Sequence, residues 1–100
     1  MGGSHFLGSD MNDPEVVPYF TWDAPMTVRR IREVLASAAD TERFRLLGKI
    51  LREARDTDVW AFTTPRFVAL HWQELSPYLG RRRAFWEWLL RQWREEGLLA

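Results

Sequence analysis

His71 and Glu74 stand three residues apart, one helical turn, which is the spacing of two ligands to a shared metal ion. The ion would need at least one more ligand. The chain has no cysteine and only His5 besides, so three convincing imidazole or thiolate ligands cannot be assembled. His71 is therefore read as a structural or solvent-facing residue, and neither a metal nor another cofactor is expected. Asp56-Thr57-Asp58 begins like a calcium loop, but the glycine and closing glutamate at the required offsets are missing. Asp56 is read as a helix cap instead. Ser37 and Ser76 lack a glycine elbow, and no glycine-rich phosphate loop occurs. Glu95-Glu96 lie at an exposed helix end, where little would perturb a carboxyl. No catalytic residue is expected, and the protein is not expected to be an enzyme.

Arg81-Arg82-Arg83 is the one local choice that runs against the rules. Three cations open a helix, where the macrodipole and unpaired amides favour anions. In one reading the guanidinium groups and helix-end amides hold a phosphate or an acidic loop. In the other, Arg83 pairs with Glu87 at i+4 and the remaining arginines are solvated.

The same helix holds three of the six tryptophans, Trp86, Trp88 and Trp93. At about 100° per residue, Trp86 and Trp93 share a line with Leu89 and Leu90 beside them. Phe85 and Trp88 widen the apolar arc to about 200°, where a surface helix needs little more than 100°. A small domain buries only about 60% of its unfolded surface, and aromatic rings supply about 150–250 Å² each. Core and interface roles are thus both open for Trp88. Lying across the helix from Trp86 and Trp93, it is assigned to an interface with Phe85 and Arg81–Arg83, since interfaces favour Trp, Phe and Arg.

These residues must be positioned by helices. Thr27 caps a helix to about Ala38, with Val28, Ile31, Val34 and Leu35 as its stripe. Asp40 caps a second to about Ala54, with Phe44, Leu47, Ile50, Leu51 and Ala54 inward. Gly48 on that face costs about 1 kcal/mol against Ala and is read as room for a close neighbour such as a Trp ring. Asp56 caps a single turn through Val59, Trp60 and Phe62. Thr64-Pro65 opens a helix to about Leu75, Ser76-Pro77 opens one turn ending at Gly80, and the last helix runs from about Arg81 to Glu96 before Gly97.

The 100 residues suit one domain. Net charge is zero but uneven, −4 over residues 1–23 and +4 over residues 24–100, and 13 of the 14 basic residues are arginine. That is a weak footprint for a nucleic-acid binder. No apolar run approaches the ~20 residues of a membrane span, and the absence of cysteine suits a cytoplasmic protein.

The series Trp22-Asp23, Ile31-Arg32-Glu33-Val34-Leu35, Asp58-Val59-Trp60 and Leu79-Gly80-Arg81-Arg82-Arg83-Ala84-Phe85-Trp86 resembles a pattern of small uncharacterised bacterial proteins. Those proteins are encoded beside AbiEii-type nucleotidyltransferase toxins. The resemblance spans most of residues 19–96 and implies an antitoxin-like or accessory partner of a nucleotidyltransferase. It carries over no catalytic residue and no established binding site.

The sequence thus predicts an all-α bundle of four main helices plus one or two single turns. Residues 1–13 form a flexible leader, residues 14–100 one helical domain, and an extended arm reaches to about Asp23. The expected core is Val28, Ile31, Leu35, Phe44, Leu47, Leu51, Trp60, Phe67, Leu70, Trp86, Leu89 and Trp93. The expected function is non-catalytic binding of a protein partner or a second copy through Phe85, Trp88, Arg81, Arg82 and Arg83. The alternative is a nucleic-acid-binding regulator that uses Arg29, Arg30 and Arg81–Arg83.

Overall fold

The longest helices carry the pattern just described, and a computed structural model of the chain, describing residues 7–99, shows them packed together. In chain order the α-helices are α1 (Val28–Ser37), α2 (Asp40–Glu53), α3 (Asp56–Val59), α4 (Pro65–Leu70), α5 (Trp72–Leu75) and α6 (Arg83–Glu95). Short 3₁₀ turns occupy Tyr19–Thr21, Ser76–Tyr78 and Gly80–Arg82. The protein is all-α. Its only strand pairing among the described residues joins β1 (Leu7–Gly8) to β2 (Val17–Pro18), in parallel and two residues long.

That pairing involves part of the expected leader. Residues 1–6 lie outside the described residues, but the chain is engaged from Leu7 onward, and Met11 is buried at 5% exposure. Arg32 donates to the Met11 carbonyl at 3.0 Å. The arm also finishes α1. A helix start leaves four N–H groups without partners. Here Val28 donates to the Val16 carbonyl at 2.8 Å and Arg29 to that of Pro14 at 3.0 Å, while Arg30 donates to the Thr27 hydroxyl at 3.1 Å. The expected Thr27 cap is present, and the arm supplies what one side chain cannot.

The other caps divide. Thr64 accepts from the Phe67 N–H at 3.1 Å, with Pro65 at the first helical position. Asp40 and Asp56 each fall one residue inside their helices, after Ala39 and Arg55, and make no capping bond. They still place negative charge at the positive helix end. α6 ends as expected: Gly97 adopts φ +81°, Gly97 N–H donates to Arg94 and Leu98 N–H to Trp93, a Schellman closure.

The helix expected over Thr64–Leu75 is broken at His71, whose backbone (φ −107°, ψ 28°) leaves the helical region. Two stripes compete in that segment. The sequence pattern turns Phe67 and Leu70 inward, whereas Val68 and Leu75 are fully buried and Leu70 is 74% exposed. Leu70 is therefore removed from the core. The inward role passes to Val68, which starts the neighbouring stripe, and the break at His71 frees Leu70 from following it. Leu35, Trp60, Phe67, Leu89 and Trp93 pack around the core half-buried, and the remaining six assigned residues are buried. Phe20, Val34, Ile50, Val59, Leu79 and Leu90 complete it.

Tyr19 ties the arm to the α2–α3 junction. Its hydroxyl donates to Asp58 at 2.6 Å and accepts from the Arg55 N–H at 2.7 Å. Burial raises the phenol's pKa above its ordinary value; the Arg55 N–H opposes this and Asp58 reinforces it. A raised pKa means that the folded state holds the proton more tightly. Tyr19 thus contributes stability below the unfolded pKa of about 10, and that contribution is lost as pH rises through the folded value. Tyr19→Phe should cost about 1–1.5 kcal/mol at neutral pH and remove part of the alkaline decline in denaturation midpoint. An unchanged alkaline profile would contradict this assignment.

Candidate functional site

The wide apolar arc of α6 resolves into an inner face and one outward tryptophan. Trp86 is fully buried, and its indole N–H donates to the Leu51 carbonyl at 2.8 Å. That carbonyl belongs to the last turn of α2, where carbonyls lack helical partners. Trp60 packs edge-on to Trp86 at 5.7 Å between ring centres and lies 5.7 Å from Trp93. Leu90 is buried and Leu89 half-buried. Trp88 takes no part in this cluster. It remains 51% exposed on the outer side of a helix fixed by its neighbours.

The other expected site residues take separate positions. Phe85 is half-buried, its ring 5.2 Å from that of Trp86. Arg82 lies 4.5 Å over the Phe85 ring and pairs with Asp56 at 2.6 Å. It is a tie between α3 and the start of α6. Arg81 and Arg83 are exposed. The expected Arg83–Glu87 pair is absent from the ion pairs of the described residues.

Two amides at this helix start are already engaged. The Gly80–Arg82 turn feeds directly into α6, so Arg82 N–H bonds to Leu79 and Arg83 N–H to Gly80. The same turn explains how three arginines are tolerated, since only Arg83 lies in α6 proper.

Arg29 pairs with Glu15 and Arg30 with Glu33. With Arg82 paired to Asp56, three of the five arginines in the nucleic-acid reading already have a carboxylate partner. His71 is wedged between aromatic rings, 4.4 Å from Phe67 and 5.2 Å from Phe44. Its Nδ1 is 3.9 Å from Glu74, too far for a hydrogen bond. Among the described residues no three His, Asp or Glu side chains gather as metal ligands, and no helix is long and apolar enough to cross a membrane.

Two features were not anticipated from the sequence. One is a groove of about 410 Å³ between the arm, α1 and α2, floored by Met26, Val34 and Leu46 and edged by Glu42, Arg45 and Lys49. Lys49 pairs there with Asp23, which holds the Asp23 carboxyl below its usual range. The other is the exposed Leu70 with the arginines near it. The only sequence signal for this second surface is Arg91 and Arg94, one turn apart on α6.

Comparison with family models, with curated proteins and with solved structures returns no match to this chain. The fold and site define an all-α domain with one aromatic residue displayed on its C-terminal helix.

Proposed function

We propose that the protein is a non-catalytic interaction subunit, docking a protein partner on the outer face of α6. The observation that carries this reading is the half-exposed Trp88 on a helix whose other tryptophans are packed inward. A large ring held in water by a rigid helix loses little conformational freedom on binding and brings a large apolar area to an interface. Arg81 and Arg83 are exposed one to two turns earlier. The sequence resemblance names the partner class: a nucleotidyltransferase, bound in an antitoxin-like or accessory manner in the cytoplasm.

The regulator reading is less favoured because Arg29, Arg30 and Arg82 are paired to carboxylates. Purification of the tagged protein from its native host tests the choice. The expected result is a stoichiometric protein partner that survives moderate salt and is lost with Trp88→Ala. Co-purifying nucleic acid, released steeply as salt rises, would favour the regulator. The chain recovered alone would count against both.

A further inference from the structure

The side of the molecule formed by α4, α5 and α6 carries an aliphatic ridge among guanidinium groups that form no ion pair among the described residues. Leu70, the last residue of α4, is 74% exposed. Next to it Arg66, Ala69, Arg94 and Leu99 line a shallow cleft of about 210 Å³. Arg94 also borders a second cleft of about 240 Å³, where Trp72 meets Glu87, Leu90 and Arg91. The shared Arg94 joins the two clefts into one surface. Among the described residues, Arg66, Arg91 and Arg94 enter no ion pair, and they are the three of the unpaired arginines that line these clefts. Three unneutralised cations against Glu87 leave the surface net positive.

An occupant of this face must cover aliphatic side chains and answer the guanidiniums with planar anions. Covering Leu70 gains roughly 25 cal/mol per Å² removed from water, and carboxylates meet guanidinium in a bidentate fork. We propose that this face binds an acidic, amphipathic peptide segment of a partner protein. Its apolar side chains enter the two clefts, and its Asp or Glu side chains pair with Arg66, Arg91 and Arg94. Nucleic acid fits less well. Stacking of successive bases needs a row of rings, whereas Leu70 and Leu99 are aliphatic and Trp72 is the one aromatic residue lining either cleft. Trp88 lines neither cleft, so this surface stands or falls independently of the docking face assigned to Trp88.

The test selects a random dodecapeptide library on phage against the full-length protein. Enriched peptides are then synthesised with a fluorescent label and titrated by anisotropy. Sequences combining several Asp or Glu with Leu, Ile, Phe or Trp are expected. Their affinity should fall at least about tenfold in Leu70→Asp and in Arg94→Glu, yet hold within about twofold in Trp88→Ala. Circular dichroism checks that each variant is folded. Binding to Arg94→Glu should return when one peptide Glu is replaced by Lys, which a merely structural role for Arg94 would not produce. Enriched peptides without acids, or with affinities indifferent to both substitutions, would overturn the proposal. So would a selection that yields no binder to the wild-type chain, or a labelled oligothymidylate that binds with the same dependence on Arg94 while the peptides do not.

Discussion

Trp86→Ala should lower the free energy of unfolding by about 3–5 kcal/mol, the range for a buried aromatic truncated in a core. Three losses combine at this position. The ring is fully buried, so the cavity left behind is large. The edge-on contact with Trp60 at 5.7 Å disappears, a type of pair worth about 0.5–1.5 kcal/mol beyond its area. The Leu51 carbonyl at the end of α2 loses the indole N–H that satisfied it. Domains of this size have about 5–15 kcal/mol in total, so the variant is expected to be partly unfolded at 37 °C. Urea denaturation followed by far-UV circular dichroism measures the effect. Trp86→Phe separates the contributions, since it keeps most of the burial and removes the hydrogen bond. A loss within about 0.5 kcal/mol for Trp86→Ala would contradict the packing described, because surface changes account for that much.

Gly48→Ala is expected to destabilise, against the helix-propensity rule. Alanine is favoured over glycine inside a helix by about 1 kcal/mol. At Gly48 the added Cβ would lie 2.4 Å from the Tyr78 Cβ and 3.6 Å from its Cα. A Cβ cannot rotate away from its own backbone, so the Ser76–Tyr78 turn itself must move. That turn is fixed, since Arg52 donates to the Tyr78 carbonyl at 2.8 Å. Overpacking costs about 1–3 kcal/mol and occasionally more, and an overlap this close belongs at the upper end. A net loss of about 2 kcal/mol follows once the propensity gain is subtracted. A higher denaturation midpoint for Gly48→Ala would show that α2 and the turn do not approach so closely.

Gly48 also shows how far the sequence could be read. A glycine on the inward stripe of α2 announced a close neighbour, but nothing in the pattern distinguished a tryptophan ring from Tyr78, which arrives from a turn 30 residues away. Local signals were legible wherever a local cause fixes the geometry. Thr27, Thr64-Pro65 and Gly97 act within one turn of themselves, and each does what its type implies. Inward stripes were legible in α1, α2 and α6, where a helix of 10 to 14 residues repeats its pattern.

Between Thr64 and Leu75 the pattern was too short to choose between adjacent stripes, and the break at His71 carries no glycine or proline to mark it. Leu70 was misplaced for that reason, and the surface it forms with Arg66 and Arg94 was missed with it. The pairing of Arg82 with Asp56 joins residues 26 apart, a distance no periodicity reaches. Charge density alone made the three arginines look like one site, whereas the structure uses Arg82 as a tie and leaves Arg81 and Arg83 in solvent.

Trp88 decides between the two readings of the α6 arc, and one measurement addresses it directly. The purified Trp88→Ala monomer should unfold in urea within about 0.5 kcal/mol of wild type, as surface substitutions do, while its complex with the native partner, or its homodimer, is weakened. Loss of stability comparable to that of Trp86→Ala would place Trp88 in the core and contradict the docking face.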